Sequence, residues 1–268
     1  MGMKMPGFPG TIGWPILIAA ILLLTGCGDA RLANPLPFGN ESNTPVSRAD
    51  TGSALRLARA TRQAGDLAAS AQLYRSLVAD RSVTPDVEVE FGDVLVEAGF
   101  PDDAIDVYSQ IDARSPARLG ALLGMTRAYL NLGDSVRALE YASQAQGLGP
   151  RDARVLVDKG VALDTLNRHA EAQELYRAVL VVAPRHVSAR NNLALSLALT
   201  GRYDEALTLI GPLVRSSSAT PRERENMAII YGLMGDADRA TMLSRVDLDE
   251  GTTKSNLLFF ATVRGTKQ

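Results

Sequence analysis

Apolar and polar residues follow two different rules along this chain. Near the start, Ile16 to Leu24 is one unbroken apolar run. It is too short to span a bilayer, which takes roughly 20 apolar residues. From residue 51 the pattern is periodic, with a step of 34 residues. Gly65, Gly99, Gly133, Asn167, Gly201 and Gly235 hold one position of the frame, Ala104, Ala138, Ala172, Ala206 and Ala240 another, and Pro116, Pro150 and Pro184 a third. This spacing predicts two helices per unit. The glycine ends the first helix, where a left-handed backbone penalises a β-carbon and asparagine is the next-best residue. The alanine five residues later presses the second helix against the first, and the proline stops the second helix. Tyr74, Tyr108 and Tyr176, on the same frame, fill the space between adjacent hairpins. Ser70 replaces the alanine in the first unit and Ser218 the proline in the fifth.

A 34-residue helix-turn-helix period with these landmarks resembles the tetratricopeptide repeat. Six contiguous repeats cover residues 51–254. The resemblance implies an all-α fold, a right-handed superhelical solenoid of helical hairpins. The outer repeats depart furthest from the pattern, as units with a single neighbour do. After the sixth, "KSNLLFFATVR" (Lys254 to Arg264) concentrates Leu257, Leu258, Phe259 and Phe260. Residues 255–268 read as a capping helix and tail; the rival reading is an apolar patch that binds a partner.

The early apolar run ends in "LLLTGC", Leu22 to Cys27, behind a weakly positive start at Lys4. Its length suits a signal-peptide core, and the Leu-Thr-Gly-Cys ending resembles a bacterial lipobox. That resemblance implies removal of residues 1–26 as a lipoprotein signal peptide and a diacylglyceryl group on the Cys27 thiol. Two or three acyl chains make such attachment effectively permanent. Gly28 to Asp50, "GDARLANPLPFGNESNTPVSRAD", shows no apolar period, so residues 27–50 read as a lipidated N-terminus and flexible tether. Its r.m.s. span as a coil would be roughly 25 Å.

A formal net charge of −2 argues against nucleic acid as a partner. Cys27 is the single cysteine, which excludes a disulfide framework, and two histidines leave little from which to build a metal site. His169 and His186 fall in loops and are expected to be solvated. The carboxylate runs "PDVEVE" and "PDDAID" sit at helix starts, where negative charge complements the helix dipole. No metal, small-molecule substrate or cofactor is implied, apart from the covalent lipid on Cys27.

By family analogy, the groove-facing positions of the first helices include Leu55, Arg59, Val89, Val96, Leu123, Arg127, Leu130, Val157, Val161, Leu195, Leu199 and Ile229. Such a groove is predominantly apolar with a few arginines, and suits an extended or an amphipathic helical segment. Any of these residues could equally be hairpin-packing core. The Lys-and-Asn clamp with which chaperone-binding relatives hold a C-terminal carboxylate is missing. Asn191, beside Asn192, has two readings, a groove-side amide that bonds a peptide backbone or a surface residue with no partner.

"NMAIIYGLMGDADRATMLSRVDLDEGTTKSNLLFFATVR", Asn226 to Arg264, together with "RNNLALSLALTGRYDEAL" before it, resembles the end of TadD-type lipoproteins of tight-adherence (Flp) pilus assembly. The resemblance implies a non-enzymatic, pilotin-like accessory whose protein partner is the pilus secretin or another secretion subunit. It also implies a lipid anchor at the periplasmic face of the outer membrane. Gly28 after Cys27 lacks the commonest inner-membrane retention signal, whereas Asp29 leaves the inner membrane open in some bacteria. The alternative role is a general envelope scaffold that recruits cell-wall hydrolases or outer-membrane assembly factors. Replacing Cys27 by Ser is expected to abolish incorporation of radiolabelled palmitate; undiminished labelling would rule out the lipid anchor.

Overall fold

The computed structural model describes residues 48–79 and 83–265. Cys27, the expected signal peptide and nearly all of the expected tether lie outside the described residues. Thirteen helices follow one another without a strand among the described residues. Six hairpins are α1 (Arg48–Gln63) with α2 (Leu67–Ala79), α3 (Pro85–Glu97) with α4 (Pro101–Ser109), α5 (Arg118–Asn131) with α6 (Ser135–Leu148), α7 (Ala153–Thr165) with α8 (His169–Val182), α9 (Val187–Leu199) with α10 (Tyr203–Val214) and α11 (Pro221–Met234) with α12 (Ala237–Ser244). A final helix, α13 (Glu250–Gly265), follows. Each helix packs on its hairpin partner and on the next hairpin, and first helices also touch first helices two elements on, so the molecule is a solenoid.

The frame positions do what their chemistry dictates. The backbone at Asn167 has φ 60°, the left-handed value shared by the glycines at the same point of the other five repeats. Ala104, Ala138, Ala172, Ala206 and Ala240 are all fully buried. Ser70 fits the same slot because its hydroxyl donates to the Ala58 carbonyl at 2.9 Å. Pro85 and Pro101 occupy the first turns of α3 and α4, with Asp86, Glu88, Asp102 and Asp103 beside the exposed N–H groups. Pro and carboxylates are both favoured there.

Tyr74, Tyr108 and Tyr176 are fully buried. Their rings need room, which small residues on the facing helices supply. A β-carbon on Gly124 would lie 2.2 Å from Tyr108, and one on Gly160 would lie 2.4 Å from Tyr176. The apolar core forms two large clusters that meet at repeat 4, where α7 gives Ala162 to one and Leu156, Val157 and Leu163 to the other.

Two boundaries differ from the sequence reading. The first helix starts at Arg48, three residues before the expected repeat boundary. The sixth hairpin is short, so residues 250–254 belong to α13 and not to the repeat. Asp249 sets that start: its carboxylate accepts from the Thr252 N–H at 2.9 Å and the Thr252 hydroxyl at 2.7 Å. Phe260 of α13 is buried against Gly232 of α11, while Lys254, Ser255, Leu258, Ala261 and Thr262 face outward. α13 closes the last hairpin as a first helix of a further repeat would.

Neither histidine is free in solvent, contrary to the expectation from their loop positions. His169 opens α8, whose first turn lies over Asp164, and its Nδ1 is 2.8 Å from that carboxylate. His186 caps α9, its Nδ1 accepting from the Ala189 N–H at 3.2 Å.

Gly160→Ala is expected to cost about 1–3 kcal/mol, the usual penalty of overpacking, because the Tyr176 ring is enclosed and its hydroxyl is held by Asp164 at 2.9 Å. Ala172→Leu should cost a similar amount. Both would lower the midpoint of urea unfolding with helical circular dichroism retained; an unchanged midpoint would show that the ring is free to move.

Candidate functional site

Because first helices stack on first helices, their outward positions form one continuous face along the solenoid. Its two halves differ in chemistry. Along repeats 1 to 4 it carries a ladder of ion pairs between successive repeats. Arg59 of α1 donates from Nε and Nη2 to the two carboxylate oxygens of Glu90 on α3, at 2.8 and 2.5 Å. Tyr74 Oη donates to the same carboxylate at 2.7 Å. Arg62 makes a like pair with Glu97, at 2.9 and 2.6 Å. Arg127 of α5 stands between two acids, 3.0 Å from Asp158 of α7 and 3.8 Å from Asp93 of α3. Tyr108 Oη donates to Asp93 at 2.9 Å.

The electrostatics follow from burial. The Arg59 guanidinium beside Glu90 holds that carboxyl below its ordinary value. Burial pushes the Asp93 and Asp158 carboxyls above theirs, against the pull of Arg127 in both cases. Burial, with Glu90 adding to it, raises the Tyr74 hydroxyl to about 12. These groups therefore satisfy one another; an exposed pair of this kind contributes at most about 1 kcal/mol, and Arg59 is half exposed.

In repeats 5 and 6 the frame positions that make the ladder carry Asn192, Leu195 and Asn226 in place of charged residues. Asn191 of α9 and Asn226 of α11 are buried, and the Oδ1 atom of each has no hydrogen-bond partner. The expected groove residues divide accordingly. Leu123, Val157, Leu195, Ile229 and Asn191 are buried between helices, whereas Leu55, Val89, Val96, Arg127, Leu130, Val161 and Leu199 are half-buried and Arg59 is exposed. Leu55, Val89, Val96 and Leu130 pack around the N-terminal core cluster; Val157, Leu195, Leu199 and Ile229 gather around the C-terminal one. The few arginines expected on this face engage neighbouring acids. Arg59 and Arg127 are paired, because each faces a carboxylate 31 residues later. That recurring separation joins the same two frame positions of successive repeats and was available in the sequence. Attention to single positions missed it.

Among the described residues there is no cluster of histidine, cysteine or carboxylate side chains able to hold a metal ion. No helix among them is long and apolar enough to cross a membrane.

Removal of Arg127 as Arg127→Met leaves Asp93 and Asp158 without their counter-charge. The guanidinium is 41% exposed, so the expected loss at pH 7.5 is about 1–2 kcal/mol, below that of a fully buried pair. Both carboxyls already sit above their unfolded values, and losing Arg127 raises them further, so the folded state takes up protons first as pH falls. The difference in melting temperature from the native protein should therefore shrink between pH 7.5 and pH 4; a constant difference would contradict this assignment.

Comparison with known proteins agrees with this architecture. Two tetratricopeptide-repeat family models match, over residues 95–157 and 157–210. Cellulose synthase 2 operon protein C of Komagataeibacter xylinus is 32% identical over 155 residues, which cover 57% of this chain and 12% of that protein. An uncharacterized protein of Sinorhizobium fredii is 33% identical over 90 residues, 34% of this chain and 50% of its own length. The matched region thus spans half or less of these curated relatives. A tetratricopeptide-repeat protein from Parabacteroides merdae superposes with TM-score 0.66 at 14% identity, over 81% of this chain and 87% of that one. One from Thermus thermophilus does so with TM-score 0.57 at 22% identity, over 67% and 98%. At these identities the structures speak to fold alone. The chain is a solenoid of tetratricopeptide-repeat hairpins, with the repeat matched directly over residues 95–210.

Proposed function

We propose that this protein is a non-enzymatic binding module that holds a protein segment on the face of its first helices, in the half formed by repeats 4 to 6. The observation that carries this reading is the contrast between the two halves. The ladder of repeats 1 to 4 pairs its own charges, whereas α9 and α11 keep two buried amide oxygens unpartnered. Leaving such an acceptor unmade costs about 1–3 kcal/mol; since both oxygens are closed off from solvent, a docked segment would satisfy them only by reaching between α9 and α11. Half-buried Val161 and Leu199 supply apolar contact beside them.

The finer reading follows the resemblance of Asn226 to Arg264 to TadD-type lipoproteins. Anchored through Cys27 at the periplasmic face of the outer membrane, the solenoid would support assembly of the secretin of a tight-adherence pilus. The similarity to Cellulose synthase 2 operon protein C favours a second reading, the same kind of service to a cellulose-synthesis machinery.

Changing Val161 and Leu199 together to Glu places charge on the face without filling a buried site, since both side chains reach solvent. The variant is expected to stay folded by circular dichroism while secretin multimers in membranes fall several-fold, because a docked apolar segment would have to desolvate the carboxylates. Normal multimers with a folded variant would place the partner elsewhere.

A further inference from the structure

The junction between repeats 4 and 5 differs from its neighbours. α9 packs closely on α8, but its approach to α7 is looser than the approach of α3 to α5, α5 to α7 or α9 to α11. Side chains bridge that looser edge. Asp164, 4% exposed at the end of α7, is the hub. Its Oδ1 accepts from Ser196 Oγ of α9 at 2.7 Å and lies 2.8 Å from His169 Nδ1. Its Oδ2 accepts from Tyr176 Oη at 2.9 Å. Gln173 of α8 adds longer contacts from Nε2 to the Ser196 carbonyl and the Thr200 hydroxyl, both at 3.3 Å.

The groups that face the carboxyl are His169 and Tyr176 from α8 and Ser196 from α9. Further along the network, Arg177 and Arg202 reach Gln173 Oε1, each at 3.3 Å, and Asp158 of α7 is held by Arg127 of α5. His169 is thus the one basic group bonded to Asp164, and its side chain, 13% exposed, reaches solvent.

We propose that the Asp164–His169 pair is a proton-operated latch on the edge between α7 and α9. With one proton shared between carboxyl and imidazole the buried pair carries no net charge, and Ser196 closes the edge. When that proton leaves to solvent, a net negative charge remains, held only by the neutral donors His169, Tyr176 and Ser196. A buried ion without a counter-charge is costly, and water relieves it. The edge then opens about the tight α8–α9 contact as pivot. Burial already holds the Asp164 carboxyl above its usual range, so closure gains as pH falls. The latch stands apart from the proposed function except in its consequence: Val161 precedes Asp164 and Leu199 follows Ser196 by one helical turn, so opening would widen the face on which the partner is proposed to dock.

The test is hydrogen exchange of the full chain, read by mass spectrometry from pH 5.5 to 8.5. Rates in residues 158–166 and 187–199 are normalised to intrinsic rates and to α3, which shares no group with the latch. In the native protein the ratio should rise with pH by up to about tenfold per unit, the limit for one linked proton. Asp164→Asn, which keeps an acceptor but no charge, should be flat and protected throughout. His169→Gln, which keeps a donor but removes a group that lowers the Asp164 carboxyl, should move the rise in exchange to higher pH. A native ratio that is flat or falls with pH overturns the proposal. So does a profile of His169→Gln that coincides with the native one, which decides the question should Asp164→Asn not fold. Normal secretin multimers in the double-Glu variant, beside an intact latch profile in the native protein, would count against the proposed function alone.

Discussion

A tyrosine ring laid against glycine backbone sets the spacing between the second and third hairpins. Tyr108 leaves no room for a β-carbon on Gly92 of its own repeat or Gly124 of the next, and Phe260 stands in the same relation to Gly232 at the end of the array. A hairpin alone would leave such a ring half in water. Stacked between two first helices, it is covered completely, and burial of an aromatic side chain is among the larger single gains in a core. Each hairpin therefore depends on its neighbour, which is the physical content of a repeat array. The last hairpin has no successor, and α13 supplies one in its place.

That spacing also determines what the face of the first helices can be. Arg59 reaches Glu90, and Arg127 reaches Asp158, because stacking brings the same two frame positions within hydrogen-bonding distance at every junction where the residues are complementary. Where the sequence changes to amides and aliphatics, in repeats 5 and 6, the ladder stops. The boundary between the halves is thus written in side-chain chemistry, on a backbone that repeats with little change.

Repeat 4 is where several of these features meet. It closes the ladder through Asp158, joins the two core clusters through α7, and carries the buried carboxyl of Asp164 to the next repeat. Two acids six residues apart on one helix have different surroundings. Asp158 faces an arginine, whereas Asp164 faces a histidine, a tyrosine and a serine.

Helix type, hairpin boundaries and the buried alanines were legible in the sequence, because glycine at a left-handed turn and alanine at a close helix contact are demanded by local geometry that recurs every 34 residues. The start of α13 was less so: the cap on Asp249 competes with the repeat frame, and a local hydrogen bond prevailed over periodicity. Partners across repeats were decided only in three dimensions. Arg59 and Glu90, Arg127 with Asp93 and Asp158, and His169 with Asp164 depend on how one helix is rotated and shifted against the next, and on which side chains stacking removes from water. The residue types were visible along the chain, but their pairing is a property of the packed helices.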